Sequence, residues 1–388
     1  MITIKEASLF CRDGDWIESK DQSSSGIRLI QTGNIGVGVY LDKFSRAKYI
    51  SEETFNKLEC TEVFPGDIIV SRLPAPVGRA CIVPDGLGRT IASVDCTILR
   101  IDEKKFLKEY VLLYTETGQY KSQIEKFLAG STRVRISRKN LESISIPQKN
   151  LETQKSIVSR IYNIKNIIEL RKQQLSKLDQ LIKSRFIEMF GDPIRNEKNW
   201  PVVSLGEVAE IYIGPFGTLL HKEDYIYGSH ALINPSHILE GKIYPDKSFT
   251  ISEEKYIELK SYHLQKGDIV LGRRGEMGRC AVVESPGLIC GTGSMIIRPY
   301  KKMKPYFIQN ILSSPGYKKY IEDKAVGGTM LNLNVRIVSE IKIPLLPINM
   351  QEKFINFLHQ IDNSKLTVKK SLEKLETLKK SLMQEYFG

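Results

Sequence analysis

The sequence predicts an α+β protein built twice over. Two similar mixed α/β cores are each followed by one long helix, which gives the chain an internal pseudo-twofold repeat. Three observations predict this. Residues 141–191 and 338–388 align without a gap at a constant offset of about 197 residues, and a repeat of this kind decides the fold before any single element does. Each copy then carries apolar residues at alternating spacings of three and four. Finally, the stretches ahead of the two copies present the same order of strand, turn and helix signals.

The repeat is dense. Matched identities include Ile144/Ile341, Ile146/Ile343, Pro147/Pro344, Gln154/Gln351, Leu175/Leu372, Leu178/Leu375, Glu188/Glu385, Phe190/Phe387 and Gly191/Gly388. Each copy opens on a short strand, Ile144-Ser-Ile-Pro147 or Ile341-Lys-Ile-Pro344. Proline removes an amide donor and biases its neighbour away from helix, so it separates strand from helix. The seam of the first helix is Ile157, Ile161, Ile164, Ile168, Leu175, Leu178, Ile182 and Met189. That of the second is Phe354, Leu358, Ile361, Val368, Leu372, Leu375, Leu382 and Tyr386. These are heptad patterns, interrupted at Arg171, Arg185, Lys365 and Lys379. Some 40 residues at about 1.5 Å each make a rod near 60 Å long. So narrow an apolar stripe cannot bury itself, and the other copy is the expected partner.

In the first core, Ile27-Arg-Leu-Ile-Gln-Thr-Gly-Asn-Ile35 reads as a strand running into a turn. Ser51 is placed to cap a short helix with Glu52 and Glu53 in its first turn. Pro65-Gly-Asp-Ile-Ile-Val-Ser-Arg72 is a turn and then a strand. The Pro/Gly-rich loop 73–78, strands at 79–83 and 93–100, helices near 106–116 and 120–128, and the loop Gly130-Ser-Thr-Arg-Val-Arg135 complete it. The second core repeats this order. Ala231-Leu-Ile-Asn-Pro-Ser-His-Ile238 answers the first strand and turn, Ile251-Ser-Glu-Glu254 the capped helix, and Lys266-Gly-Asp-Ile-Val-Leu-Gly-Arg-Arg274 the Gly-Asp strand. Gly278-Arg279 answers Gly78-Arg79, and Gly327-Gly-Thr329 answers Gly130-Ser-Thr132. The expected boundaries are therefore 1–140 and 192–337 for the cores, 141–191 and 338–388 for the helices. The differences concentrate in loops between strands, where binding residues sit on a rigid scaffold.

The 388 residues suffice for two or three domains, and a net charge of +12 points to a polyanionic partner, most often nucleic acid. No apolar run approaches the ~18 residues of a membrane span, and 1–16 lacks a signal-peptide core. Cys11, Cys60, Cys81, Cys96, Cys280 and Cys290 are scattered without a CxxC, which suits reduced thiols in a cytoplasmic protein.

Taken in order and twice, the GDI(I/V)-x-x-R strand, the Gly-Arg element after it, the Gly-Ser/Gly-Thr loop and the I-x-I-P…Q helix start resemble the specificity (S) subunit of type I restriction-modification systems. The resemblance covers essentially the whole chain. It departs where Thr153 and Met350 replace an acidic residue before the glutamine. The first core also has a shorter N-terminal lead than 191–230. The resemblance implies two target recognition domains spaced by long helices that pair as an antiparallel coiled coil, with the two chain ends near each other. It implies a non-catalytic subunit that reads a bipartite, asymmetric double-stranded DNA target, one half-site per domain, with half-sites one helical turn, roughly 34 Å, apart. Two methyltransferase (M) subunits and restriction (R) subunits would be partners. S-adenosylmethionine would belong to the former, ATP and Mg to the latter, and no cofactor or metal to this chain.

Candidate DNA-binding residues follow from side-chain chemistry. Arg72, Arg79, Arg273, Arg274 and Arg279 stand at strand ends beside Gly- or Pro-rich loops, and arginine suits bidentate contact with guanine or phosphate. Arg28, Gln31, Asn34, Asn234 and His237 lie in the matched strand-turn elements; amide side chains can pair with adenine. Arg133, Arg135 and Lys222 suit phosphates, which position without specifying. His237 reads equally as a turn cap, and Asp67 and Asp268 as Gly-Asp turn residues. Enzyme readings find little support. There is no glycine-rich methyltransferase loop with an Asn/Asp-Pro-Pro-aromatic motif and no Walker A loop. Pro245-Asp246 with Glu253-Glu-Lys255 has the outline of a nuclease motif, but its counterpart Glu52-Glu-Thr54 lacks the lysine. The alternative outside enzymes is a coiled-coil scaffold that does not touch DNA.

Overall fold

The computed structural model describes residues 1–74, 76–128, 134–215, 219–325 and 332–388. The chain forms two compact units, Met1–Gln173 with Lys369–Gly388, and Gln174–Val368. Each long helix therefore begins in one unit and ends in the other.

The first unit runs β1 (Ile2–Thr3), α1 (Ile4–Ala7), β2 (Ser8–Asp13), β3 (Ile27–Ile30), β4 (Lys48–Ile50), α2 (Glu52–Lys57), β5 (Glu62–Val63), β6 (Ile68–Ser71), β7 (Ala80–Ile82), β8 (Thr90–Ala92) and β9 (Cys96–Ile101). Then follow α3 (Lys108–Thr115), α4 (Gly118–Lys126), α5 (Arg138–Glu142), β10 (Ser145–Ile146) and the long helix α6 (Leu151–Phe190). One sheet has the order β2-β9-β6-β7, wholly antiparallel; the other is β4-β3-β8-β5, with β3 and β8 parallel. The second unit holds β11 (Val202–Ser204), α7 (Leu205–Val208), β12 (Ala209–Ile213), β13 (His230–Ile233), β14 (Ile238–Leu239), β15 (Lys242–Ile243), β16 (Thr250–Ile251), α8 (Glu253–Glu258), β17 (Ile269–Gly272), β18 (Cys280–Val282), β19 (Leu288–Cys290) and β20 (Ser294–Pro299). It continues through α9 (Pro305–Leu312), α10 (Pro315–Lys324), α11 (Val335–Ser339), β21 (Lys342–Pro344) and the long helix α12 (Ile348–Phe387). Its sheets, β12-β20-β17-β18 and β16-β13-β19, repeat the plan.

The shorter N-terminal lead of the first core carries the same elements as the lead of the second. Thr3 and Glu6 form a capping box on α1 as Ser204 and Glu207 do on α7, and β1 pairs with β10 as β11 pairs with β21. The extra length ahead of the second core is a linker. In it Trp200 Nε1 donates to Phe190 O at 3.0 Å and Lys198 Nζ to Met189 O at 3.1 Å, so it satisfies carbonyls left open at the end of α6. Ser51 and Ser252 cap α2 and α8 as their sequences predict.

Two buried polar clamps recur. Asp67, 3 % exposed, accepts from Arg100 Nε and Nη2 at 2.9 and 2.8 Å and from Phe64 N at 2.9 Å. Asp268, 1 % exposed, accepts from Arg298 Nε and Nη2 at 2.8 and 2.7 Å and from Gln265 N at 2.7 Å. The Gly-Asp pair is thus structural, fixing the turn into β6 or β17 to the neighbouring strand. Gln154 and Gln351 are fully buried where the long helices start; Gln154 accepts from Leu107 N and Gln351 from Lys304 N, both at 2.8 Å.

Each unit is closed by the tail of a helix that starts in the other. In the first, Phe387 lies against Tyr110 and Tyr114, with ring centroids 5.0 and 5.8 Å away, and Ile157 and Ile161 join the same core. Arg160 donates to the Tyr386 hydroxyl at 3.2 Å. The cluster also takes in Ile2, so both chain ends belong to it. In the second, Phe186 and Phe190 meet Phe354 edge to face at 5.4 Å and also contact Phe307. Farther along, Lys365 pairs with Asp179, so within this unit the two helices run antiparallel.

Candidate DNA interface

Strand register brings the candidate loops to one edge of each core. In the first, Ser71 pairs with Cys96, Asp13 with Thr97 and Val70 with Ala80; β3 and β8 end together at Ile30 and Ala92. The segments after β2, β3 and β6, and those before β7 and β9, therefore leave the sheets side by side. Ile136 N donates to Arg72 O at 3.3 Å, which places the chain at Ile136 on the same edge. The second core matches this. Gly272 pairs with Ser294, Leu271 with Cys280 and Ile233 with Cys290, and Leu333 N donates to Arg273 O at 2.9 Å. The Asp67 and Asp268 clamps sit at the opposite ends of β6 and β17.

Several candidates prove to be the frame of this edge. Arg79 places its guanidinium on five carbonyls: Nε on Ile35 O at 2.7 Å, Nη2 on Thr32 O at 2.8 Å, and Nη1 on Leu73, Pro74 and Pro76 O, each at 2.9 Å. Burial pushes its pKa down from the ordinary value, yet a guanidinium stays charged. It ties the turn after β3 to the loop after β6. Asn34 is buried in that turn, accepting from Gln31 N at 3.0 Å and donating to Leu41 O at 3.1 Å. His237 occupies the matching place in the turn Pro235–His237, its Nδ1 2.9 Å from Leu232 O and 3.2 Å from Asn234 N, so the turn-cap reading describes it. Asn234 accepts from Gly293 N at 3.2 Å, and a Cβ on Gly291 would fall 2.3 Å from its Oδ1, so only glycine fits beneath it. Arg28 is buried and paired with Asp42.

Other candidates face outward or hold the rim. Gln31, Arg135 and Arg274 are exposed. Arg72 is largely buried, its Nη2 donating to Val94 O at 2.6 Å and its Nε 3.4 Å from Asp13. Arg273 Nε donates to Asn332 Oδ1 at 3.1 Å; burial, and then the charge of Arg274, push its pKa down. Arg279 reaches Pro235 O at 3.2 Å through Nη1 and Glu276 through Nε at 3.1 Å. Lys318 also binds Glu276, and these cations lower its pKa to about 2. Arg133 lies outside the described residues, as do the side chain of Lys222 and the loops around Ser131 and Gly328.

Sequence reasoning missed Asp42 and Glu276, which anchor Arg28 and Arg279, Lys318, which shares Glu276, and Lys43, whose ammonium lies 3.2 Å from where a Cβ on Gly33 would stand. The nuclease outline dissolves into local pairs, with Asp246 accepting from Ser248 and Glu253 facing His230. Among the described residues no group of three or more metal-capable side chains converges, and no helix is long and apolar enough to cross a membrane. All six cysteines are free, five of them buried.

A doubled fold with two framed loop edges and two long helices defines a two-domain recognition subunit. The family comparison identifies which kind. Residues 7–180 and 197–378 each match the type I restriction modification DNA specificity domain, and the chain belongs to that family as a specificity subunit with two recognition domains. It is 22 % identical over 306 residues to the type I restriction enzyme MjaVIII specificity subunit of Methanocaldococcus jannaschii, covering 74 % of this chain and 71 % of that one. It is 20 % identical over 357 residues to the EcoBI specificity subunit of Escherichia coli, covering 84 % and 73 %. In fold it is similar to a chain of the type I R-M system from a structure describing complex assembly and conformational transition, with TM-score 0.65, 16 % identity and 99 % and 96 % coverage. The S subunit from M. genitalium superposes with TM-score 0.58 at 16 % identity, covering 100 % of this chain and 95 % of that one.

Proposed function

We propose that this subunit reads a bipartite, asymmetric double-stranded DNA sequence, one half-site per core, and docks two methyltransferase subunits and, for cleavage, restriction subunits. The observation that carries this is the pair of loop edges: the same strand register underlies both, while the side chains they present differ. One edge offers Gln31, Lys43 and Arg135; the other offers Arg274, with Arg273 and Arg279 at its rim. Amide and guanidinium groups of this kind can read base edges and hold phosphates. S-adenosylmethionine would enter with the methyltransferase, ATP and Mg with the restriction subunits. The two 40-residue helices set the unread spacer.

Methylation mapping tests this. The chain is expressed with its cognate methyltransferase in a methylation-free host, and modified adenines are located in the genomic DNA. One bipartite motif with a fixed gap, absent without this chain, is expected. Exchanging the second core should change one half-site only. A soluble assembled complex that leaves no fixed motif would favour the scaffold reading.

A further inference from the structure

We propose that Phe44 is a wedge that enters the base stack of the half-site contacted by the first core, an inference that rests on the DNA-reading proposal above. Phe44 is 75 % exposed at the start of the 3-10 turn Phe44–Arg46. A single exposed apolar side chain is commonplace. This one differs in how it is mounted and what flanks it.

The mount is rigid at both ends. Before it, Asp42 is paired with the buried Arg28, and Leu41 exchanges hydrogen bonds with Asn34 through N to Asn34 O at 2.8 Å and O from Asn34 Nδ2 at 3.1 Å. After it, β4 joins β3, with Lys48 opposite Leu29. The turn closes through Arg46 N to Lys43 O at 2.8 Å and Ala47 N to Phe44 O at 3.1 Å. Lys43 lies over Gly33, beside the exposed Gln31, so the turn belongs to the loop edge. Neither Lys43 nor Arg46 forms an ion pair among the described residues. An apolar ring between two unpaired cations matches the chemistry of a DNA wedge: the cations bind phosphates on either side, and the ring replaces a lost stacking partner. The step entered should be pyrimidine–purine, which is the easiest to unstack.

Among the described residues the matching loop of the second core is built differently: its exposed ring, Tyr244, stands between Asp246 and a Lys242 that is paired with Asp362. That loop ends at Phe249, whose ring lies against His237 and Tyr225 at 5.2 and 5.8 Å. The wedge therefore belongs to one half-site.

The test uses the complex with its methyltransferase and a duplex bearing the mapped motif. The fluorescent base 2-aminopurine replaces non-methylated positions in either half-site. Wild type should brighten at one step of the half-site that persists when the second core is exchanged. Phe44→Ala should abolish that brightening and weaken binding about tenfold, with subunit assembly unchanged by light scattering. Phe44→Leu should restore most of the affinity, since aliphatic side chains also wedge. Wild-type affinity and brightening in Phe44→Ala would overturn the inference. Loss of assembly in that variant would overturn it too, placing Phe44 against protein. A wild-type complex that binds no fixed motif would instead overturn the DNA-reading proposal, and the wedge with it.

Discussion

The two cores agree in the clamps that hold their sheets and helix starts and differ at their loop edges. Asp67 with Arg100 and Asp268 with Arg298 are the same clamp, and Gln154 and Gln351 make the same contacts at the two helix starts. At the loop edge the parallels loosen. Arg79 gathers five carbonyls, whereas Arg279 holds one carbonyl and a glutamate. Asn34 caps one turn and His237 the other. Away from that edge, Arg89 bridges Glu52 and Glu62 over Phe55, while the second core stacks His230, Tyr256 and His263 with centroids 3.6 Å apart. A buried polar group must keep its partner or lose stability, so the frame admits few solutions. An exposed loop side chain is under no such constraint, and there the two cores can carry different information.

The comparison can be broken at its most symmetrical point. Phe190 and Phe387 are matched helix-end residues, both nearly fully buried. Phe190→Ala and Phe387→Ala should each cost about 4 kcal/mol, the usual scale for emptying a buried phenylalanine site. Urea unfolding of the full chain measures this, and a large inequality would show that the halves are not equivalent in packing. Next come the arginines. Arg79→Ala leaves five carbonyls without their cation and should destabilise by about 3 kcal/mol, against about 1 kcal/mol for Arg279→Ala. Equal losses would erase the distinction drawn between the loops.

The smallest effect is in acid. In the folded chain the Lys318 ammonium, and then the Arg279 guanidinium, hold Glu276 at a pKa of about 2, below its ordinary 4.5. The unfolded chain takes up that proton first, so the contribution is complete above pH 4.5 and is lost as pH falls toward 2. Glu276 is 47 % exposed, which limits the effect to under about 1 kcal/mol. The first core has Pro76 at the matching position, so this acid-sensitive term should be confined to the second. Glu276→Gln should flatten it in an acid titration followed by hydrogen exchange.

Much of the frame was legible in the sequence. The gapless repeat fixed the helix pair, and the Gly-Asp turns, serine caps and helix-start glutamines announced themselves by residue type and spacing. Thr3-x-x-Glu6 and Ser204-x-x-Glu207 were equally plain, and reading them would have matched the leads of the two cores element by element. The edge was less legible. Whether Arg79 faces DNA or its own backbone depends on where five carbonyls from two loops converge, which no local pattern records. The heptad seam likewise passed over Phe186 and Phe190, because those side chains answer to the second core rather than to the other helix alone.

The exchange of helix tails also orders events in time. The first core has its strands and its helix start by Gln173, yet its Tyr110 and Tyr114 rings wait for Phe387. That residue leaves the ribosome about 200 residues after Phe190, roughly 10–40 s later at usual synthesis rates. The half made first is therefore finished last, and a chain cut short by its final turn would fail at the opposite end from the cut.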